Sequence, residues 1–203
     1  MSYGTTSDLP TPAAVSWTGG LAGFRAQVER NQEHARRLVE GLDDEAFRWR
    51  PEPKRWSMAE CFEHMDVSLA LYLRAIDGAV ERAKAQSWHC SRTPPRPGFL
   101  AKWFVGLLEP PPKRRFRAFG PFVPQQVRPL ADALPRFLHS RDELLRRLRD
   151  AEGLDLQRAK LRSPAVPLLR FSLAETFAIV IAHDRRHLWQ AKQVRSTPAF
   201  PGV

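Results

Sequence analysis

Apolar residues recur along the chain at steps of three and four, the spacing of one helix face, in four long blocks. Leu21, Phe24, Val28, Ala35, Leu38 and Leu42 mark a first helix of about 20 residues, which Gly41 and the polar GLDDE stretch bring to an end. The second opens at Ser57, where Ser57 and Glu60 have the S-x-x-E spacing of a capping box. It carries the stripe Met58, Phe62, Met65, Leu69, Tyr72, Ile76 and Val80. A third runs from about Val127 to Asp150 on Val127, Leu130, Leu134, Leu138, Leu145 and Leu148, and Gly153 stops it. The fourth begins at Ser172, again with S-x-x-E through Glu175, and carries Leu173, Phe177, Ile181 and Leu188. The pattern predicts an all-α protein.

Between the second and third helices, roughly residues 88–126, the chain is rich in proline, which removes amide donors and fixes φ. This segment reads as a long crossover. Within it FLAKWFVGLLE is expected to form a short amphipathic helix packed across the mouth of the bundle, with membrane contact or a lid as the functional alternative. The expected organisation is a flexible segment over 1–18, one helical domain over 19–195 and a tail over 196–203.

Composition narrows the function classes. With 203 residues, 43% of them hydrophobic, and no internal repeat, the chain can bury one substantial core. The start MSYGTTSDLPTP lacks the basic and apolar regions of a secretory signal, and FAIVIA is too short to span a bilayer, so a cytoplasmic protein with no membrane partner is expected. Cys61 and Cys90 have no CxxC spacing, which argues against a disulfide framework. The net charge of +10 raises nucleic-acid binding, but arginine is spread over all the helices and the tight run is Lys113-Arg114-Arg115-Phe116-Arg117. A solvated arginine surface, or one selecting anionic small molecules, is expected instead, with no specific nucleic acid as partner.

The chemistry lies in histidine. His183 and His187, four apart on one helix, project from one face with Cβ atoms about 5–6 Å apart and can close on a single ion. His64, on another helix, would complete a three-nitrogen site with coordination positions left open, the pattern of a catalytic rather than a structural metal. A single histidine on an apolar face reads as a hydrogen-bonded core residue, but three converging imidazoles without an ion would need separate partners in a dry core. His34, His89 and His139 read as ordinary surface or boundary residues. Glu60, one turn before His64, and Gln190, one turn after His187, could hydrogen-bond a bound water or a ligand's far ring nitrogen; the competing role of Glu60 is its capping box. Cys61 could be a soft fourth ligand, though a small buried hydrophobe is the commoner fate, and Trp56 and Trp189 read as core aromatics. HDRRH has Asp184 where metalloprotease HExxH has its glutamate base, which weakens peptide hydrolysis.

Three segments in order, GLDDEAFRWRPEPKRWSMAECFEHM, PPKRRFRAFGPFVP and AETFAIVIAHDRRHLWQAKQV, resemble the DinB/YfiT-like family of metal-binding four-helix bundles, a likeness running from about residue 20 to 195. The resemblance implies a four-helix bundle in up-down-down-up order with a divalent ion held by His64, His183 and His187. It also implies activities such as transfer of a low-molecular-weight thiol by an S-transferase, or mycothiol-dependent isomerisation. Three neutral imidazoles suit zinc or nickel first, with iron, copper or manganese also compatible. The leading expectation is a metal-dependent enzyme joining an anionic thiol to an electrophilic small molecule. A non-catalytic metal- or ligand-binding stress-response module stands second and a metal-assisted hydrolase third. A homodimer is compatible with any of them.

Overall fold

The computed structural model describes residues 14–90, 96–114 and 116–201; the first thirteen residues of the expected flexible segment, Arg115 of the basic run and the last two residues of the tail lie outside it. The described chain is mostly helical, with one two-stranded hairpin: α1 (Gly20–Val39), α2 (Asp44–Arg48), α3 (Met58–Ala85), α4 (Phe99–Leu108), a 3-10 turn (Gly120–Phe122), α5 (Leu130–Asp150), β1 (Lys160–Arg162), β2 (Arg170–Ser172) and α6 (Leu173–Arg195). α1 stops at Val39 because Gly41, at φ 74°, turns the chain back, which leaves Leu42 outside the helix. The polar GLDDE stretch also starts an element: the Asp43 carboxylate accepts from the Ala46 amide and caps α2, a helix the apolar periodicity does not announce.

Both S-x-x-E boxes form in full, with Ser57 and Glu60 opening α3 and Ser172 and Glu175 opening α6. The proline-rich crossover contains α4, where the FLAKWFVGLLE segment predicts a short helix. α5 begins at Leu130, later than Val127, since Pro129 occupies its N-cap and the Leu130 amide is capped by Asp44 of α2 at 2.8 Å. The hairpin was not legible as strands. Its antiparallel register pairs Leu161 with Phe171, both buried, while the flanking Lys160, Arg162 and Arg170 face out.

α3 packs on α6 and α5, α1 packs on the same two helices, and α4 lies against α6. The apolar core divides into two clusters. One is built around Phe24, Ile76, Leu144, Phe171 and Phe177, the other around Leu38, Phe47, Met58, Phe62, Phe137 and Leu188. Each such fully buried side chain contributes about 1.5–3 kcal/mol by leaving water. Between the clusters, at one level of the packed helices, all four long helices present polar groups: Asn31 and Gln32, His64 and Asp66, Arg141, and the run from Asp184 to His187 are buried. Asn31 donates to the Ile181 carbonyl at 3.2 Å and Gln32 to the Leu138 carbonyl at 3.1 Å, which ties α1 to the helices on either side. The candidate site lies in this transverse polar layer.

Candidate metal centre

The capping box fixes where α3 starts, and so the helical phase that turns His64 inward; α6 does the same for His183 and His187, one turn apart. The three rings converge. One ligand atom from each can be chosen so that all lie within 4.8 Å of one another, and no carboxylate or thiol joins such a group among the described residues. His64 Nε2 stands 3.1 Å from His183 Nε2, close to the separation of about 3.3 Å that two nitrogens at 2.0–2.1 Å from a tetrahedral ion would have.

The outer ring atoms are engaged in a way that suits ligation. His64 Nδ1 lies 2.6 Å from the Phe122 carbonyl, and His187 Nδ1 lies 3.2 Å from Gln190 Oε1. Each acceptor holds a proton on Nδ1 and leaves Nε2 as the lone-pair nitrogen, the arrangement by which second partners orient metal-binding imidazoles. Trp56 roofs the group, its ring centroid 4.9 Å from that of His64 and 5.9 Å from that of His187. His64 and His187 are buried while His183 is partly exposed, so the approach from solvent is on the His183 side.

Electrostatics keep the rings neutral. Burial is the largest cause lowering all three pKa values, well below the usual histidine value for His183 and His187. The neighbouring rings push those two further down, and the Arg186 cation depresses all three. Neutral imidazole is the form that ligates.

The run HDRRH is more than a histidine pair. Asp184 accepts from Arg141 at both oxygens, at 3.0 and 2.5 Å, and Arg141 also reaches Asp66 at 2.5 Å, so a fully buried guanidinium joins α5 to α6 and α3. Arg185 makes a two-point contact with Glu109 at the end of α4, at 3.0 and 2.6 Å. Arg186 donates to the carbonyls of Leu107 and Arg114, holding the crossover against α6 beside the three rings. The expectation of a solvated arginine surface is therefore corrected for Arg147, Arg185 and Arg186, which like Arg141 are buried because carboxylates and carbonyls of the fold compensate their desolvation.

Glu60 places Oε2 on the Ser57 amide at 2.9 Å and Oε1 on Arg50 at 2.6 Å, and it is not in the three-ring group. Cys61 is packed in the second apolar cluster, and burial, then the charge of Glu60, pushes its thiol up, which disfavours the thiolate a metal would need. His89 and His139 are exposed. His34 is not. α1 is covered over a wide arc by α5 and α6, which takes the flank Gln27, Asn31 and His34 out of water, and neither nitrogen of His34 has a hydrogen-bond partner. Trp56, which from sequence reads as a core aromatic, lies against two of the rings, and neither the Phe122 carbonyl nor the Arg141 triad is among the residues expected from sequence. Only the last had a signal: Leu134, Leu138, Arg141, Leu145 and Leu148 form one three-and-four stripe, with a charge inside it.

No curated protein and no solved structure matches the chain. The sequence profile of the DinB superfamily matches residues 27–191, from α1 to near the end of α6, and takes in all three converging histidines and Gln190. A match over most of the chain, enclosing the three-histidine cluster, places this protein in the DinB superfamily.

Proposed function

We propose that His64, His183 and His187 hold one divalent ion through Nε2, zinc or nickel before iron, copper or manganese, and that the protein is a metal-dependent enzyme transferring a low-molecular-weight thiol to an electrophilic small molecule. The convergence of the three Nε2-bearing rings carries the reading. Their donor chemistry fits such an ion: three neutral imidazoles, two of them buried and with Nδ1 already engaged. Along the chain α1 and α6 pass from the first apolar cluster to the second and α3 and α5 from the second to the first, which supports the up-down-down-up four-helix bundle that the family resemblance implies. Bound there, a divalent ion would lower the pKa of a thiol and present its sulfur as thiolate near neutral pH.

The chain's own groups supply the rest. Phe122 and Gln190 orient two rings, Trp56 shields the site from water on one side, and the partly open His183 side admits substrate. Arg186, whose charge acts on all three rings, favours an anionic thiol, whose carboxylates it would attract. In the transfer the thiol loses its proton to solvent, sulfur forms a bond to the electrophilic carbon, and the leaving group departs with the electron pair of the broken bond. The absence of a carboxylate base from the three-ring group, among the described residues, favours this ready nucleophile over hydrolysis. It equally suits the second reading, a binding module without turnover.

The test is metal analysis of protein purified without an affinity metal, followed by thiol consumption with an electrophile in wild type and His187→Ala. Metal and turnover should vanish together while the helical signal persists. Full turnover by metal-free His187→Ala would refute the enzyme reading, and metal binding without thiol consumption would leave the binding module in its place.

A further inference from the structure

Among the described residues, five of the six exposed large hydrophobic side chains lie between positions 99 and 119: Phe99 at 86%, Leu100, Trp103 at 52%, Phe116 and Phe119. α4 explains the first three. It buries Ala101, Val105 and Leu108 toward α6, yet its outward face carries Phe99, Leu100 and Trp103 where a helix on a globular surface presents polar groups. The aromatic residues that follow stay on the same segment, with Phe116 beside Arg186 at 5.4 Å and Phe119 beside Phe122 at 5.7 Å.

Cations border this face. Trp103, Gly106, Leu107, Lys113 and Arg114 line one groove of about 420 Å³, so the two basic side chains stand next to the exposed indole. Arg96, Lys102 and Arg117 are exposed on the same stretch. The one acidic residue in positions 96–122, Glu109, is already held by Arg185 and the Val15 amide.

We propose that α4 and the loop after it dock onto an anionic lipid surface, with the aromatic face among the headgroups and the bordering cations on lipid phosphates and carboxylates. Two kinds of side chain on one face point to this occupant. Aromatic residues favour the boundary between headgroup and acyl chain, and a basic border adds attraction to anionic lipid. A second copy of the chain would bring the Lys113–Arg114 borders of two +10 molecules toward each other, and nucleic acid would leave five exposed hydrophobics unused. Docking is in the plane: a ten-residue helix is about 15 Å long, half a hydrocarbon core, and no described helix is long and apolar enough to cross a membrane. The proposal stands apart from the metal chemistry.

The experiment is cosedimentation of the full chain with phosphatidylcholine vesicles, with and without phosphatidylserine, at about 0.15 M salt. Wild type should pellet with the anionic vesicles and stay largely in solution with the neutral ones. Phe99→Ser/Leu100→Ser/Trp103→Ser should weaken partitioning at least about tenfold, because the apolar area inserted is gone. Lys113→Glu/Arg114→Glu should do the same, while Arg30→Glu/Arg149→Glu, an equal charge change on exposed parts of α1 and α5, should leave partitioning within about twofold of wild type. All these side chains are exposed, so thermal unfolding should match wild type in each variant. Failure of wild type to bind would overturn the proposal. Wild-type binding by the triple serine variant would overturn it too, since charge alone would then explain the affinity, as would equal losses from the Arg30/Arg149 pair. Salt-resistant duplex DNA binding, or self-association, abolished by the same substitutions would assign the face to another partner.

Discussion

Arg141→Met tests the centre of the polar layer. The guanidinium is 0% exposed and pairs with Asp66 and Asp184 together, so removing it leaves buried Asp184 without its ion-pair partner and buried Asp66 with only the Ser140 hydroxyl and half-exposed Arg136. Breaking a buried pair from one side costs about 3–5 kcal/mol, because the remaining charge keeps its desolvation penalty without its partner. Methionine fills much of the volume, so the cavity contribution is small. Against a total stability of about 5–15 kcal/mol this is a large loss, and at about 2–4 °C per kcal/mol for a chain of this size the midpoint should fall by about 6–20 °C. The loss should depend on pH with a defined sign. Burial already raises the Asp66 pKa even with Arg141 beside it, and without Arg141 it should shift higher. A carboxylate whose folded pKa is raised stabilises the fold at pH below its unfolded value of about 3.9 and loses that contribution as pH rises, so the deficit of the variant should shrink toward pH 4 and be full at pH 7. The assay is urea unfolding at several pH values, with chelator present throughout so that metal affinity does not enter. Replacing all three groups at once, Asp66→Asn/Arg141→Met/Asp184→Asn, should recover much of the loss. A single-variant cost under about 1 kcal/mol, independent of pH, or a triple variant no better than the single, would refute the reasoning.

Gln190→Ala, which frees His187 Nδ1, should weaken metal affinity about 10–100-fold by competition titration with little change in apo stability. Chelation of the holoprotein should lower its thermal midpoint without unfolding it, seen as a retained helical signal, because the two apolar clusters assemble independently of the ion. Burial, then the charges of Lys192 and Arg37, lowers the His34 pKa to about 4; since the unfolded ring takes up its proton first, stability is complete above about pH 6.5 and falls by up to about 3 kcal/mol toward pH 4. His34→Leu should flatten that part of the curve in pH-dependent urea unfolding. Glu60→Gln keeps an N3 side chain able to complete the capping box and loses only the ion pair with half-exposed Arg50, so it should cost less than about 1 kcal/mol and leave turnover near wild type; a large drop in rate with metal still bound would identify Glu60 as a general base.

The four long helices could be read because each repeats its apolar residues over many turns and two announce their first residue by a capping box. α2 and the hairpin could not. α2 has five residues and each strand three, too few to show a period, and what stabilises them is contact with distant residues, as when Asp44 of α2 caps the start of α5. The apparent continuation of the first helix to Leu42 failed for a local reason, the left-handed turn at Gly41.

The same division holds at the site. Spacing alone put His183 and His187 on one helix face, because the helical repeat is a local property of the backbone. That His64 meets them, that Phe122 and Gln190 fix which nitrogens point inward, and that Trp56 covers the group are matters of packing between residues up to 131 positions apart, counted from Trp56 to His187. Sequence counted the arginines; only the fold decided which would be buried. Arg141 and Arg185 leave water because tertiary contacts bring carboxylates to them, whereas Lys113 and Arg114 stay at the surface beside Trp103, where no acid within the described residues meets them. A side chain's charge is written in its covalent structure, but the free energy of that charge is set by its neighbours, and neighbours are what folding chooses.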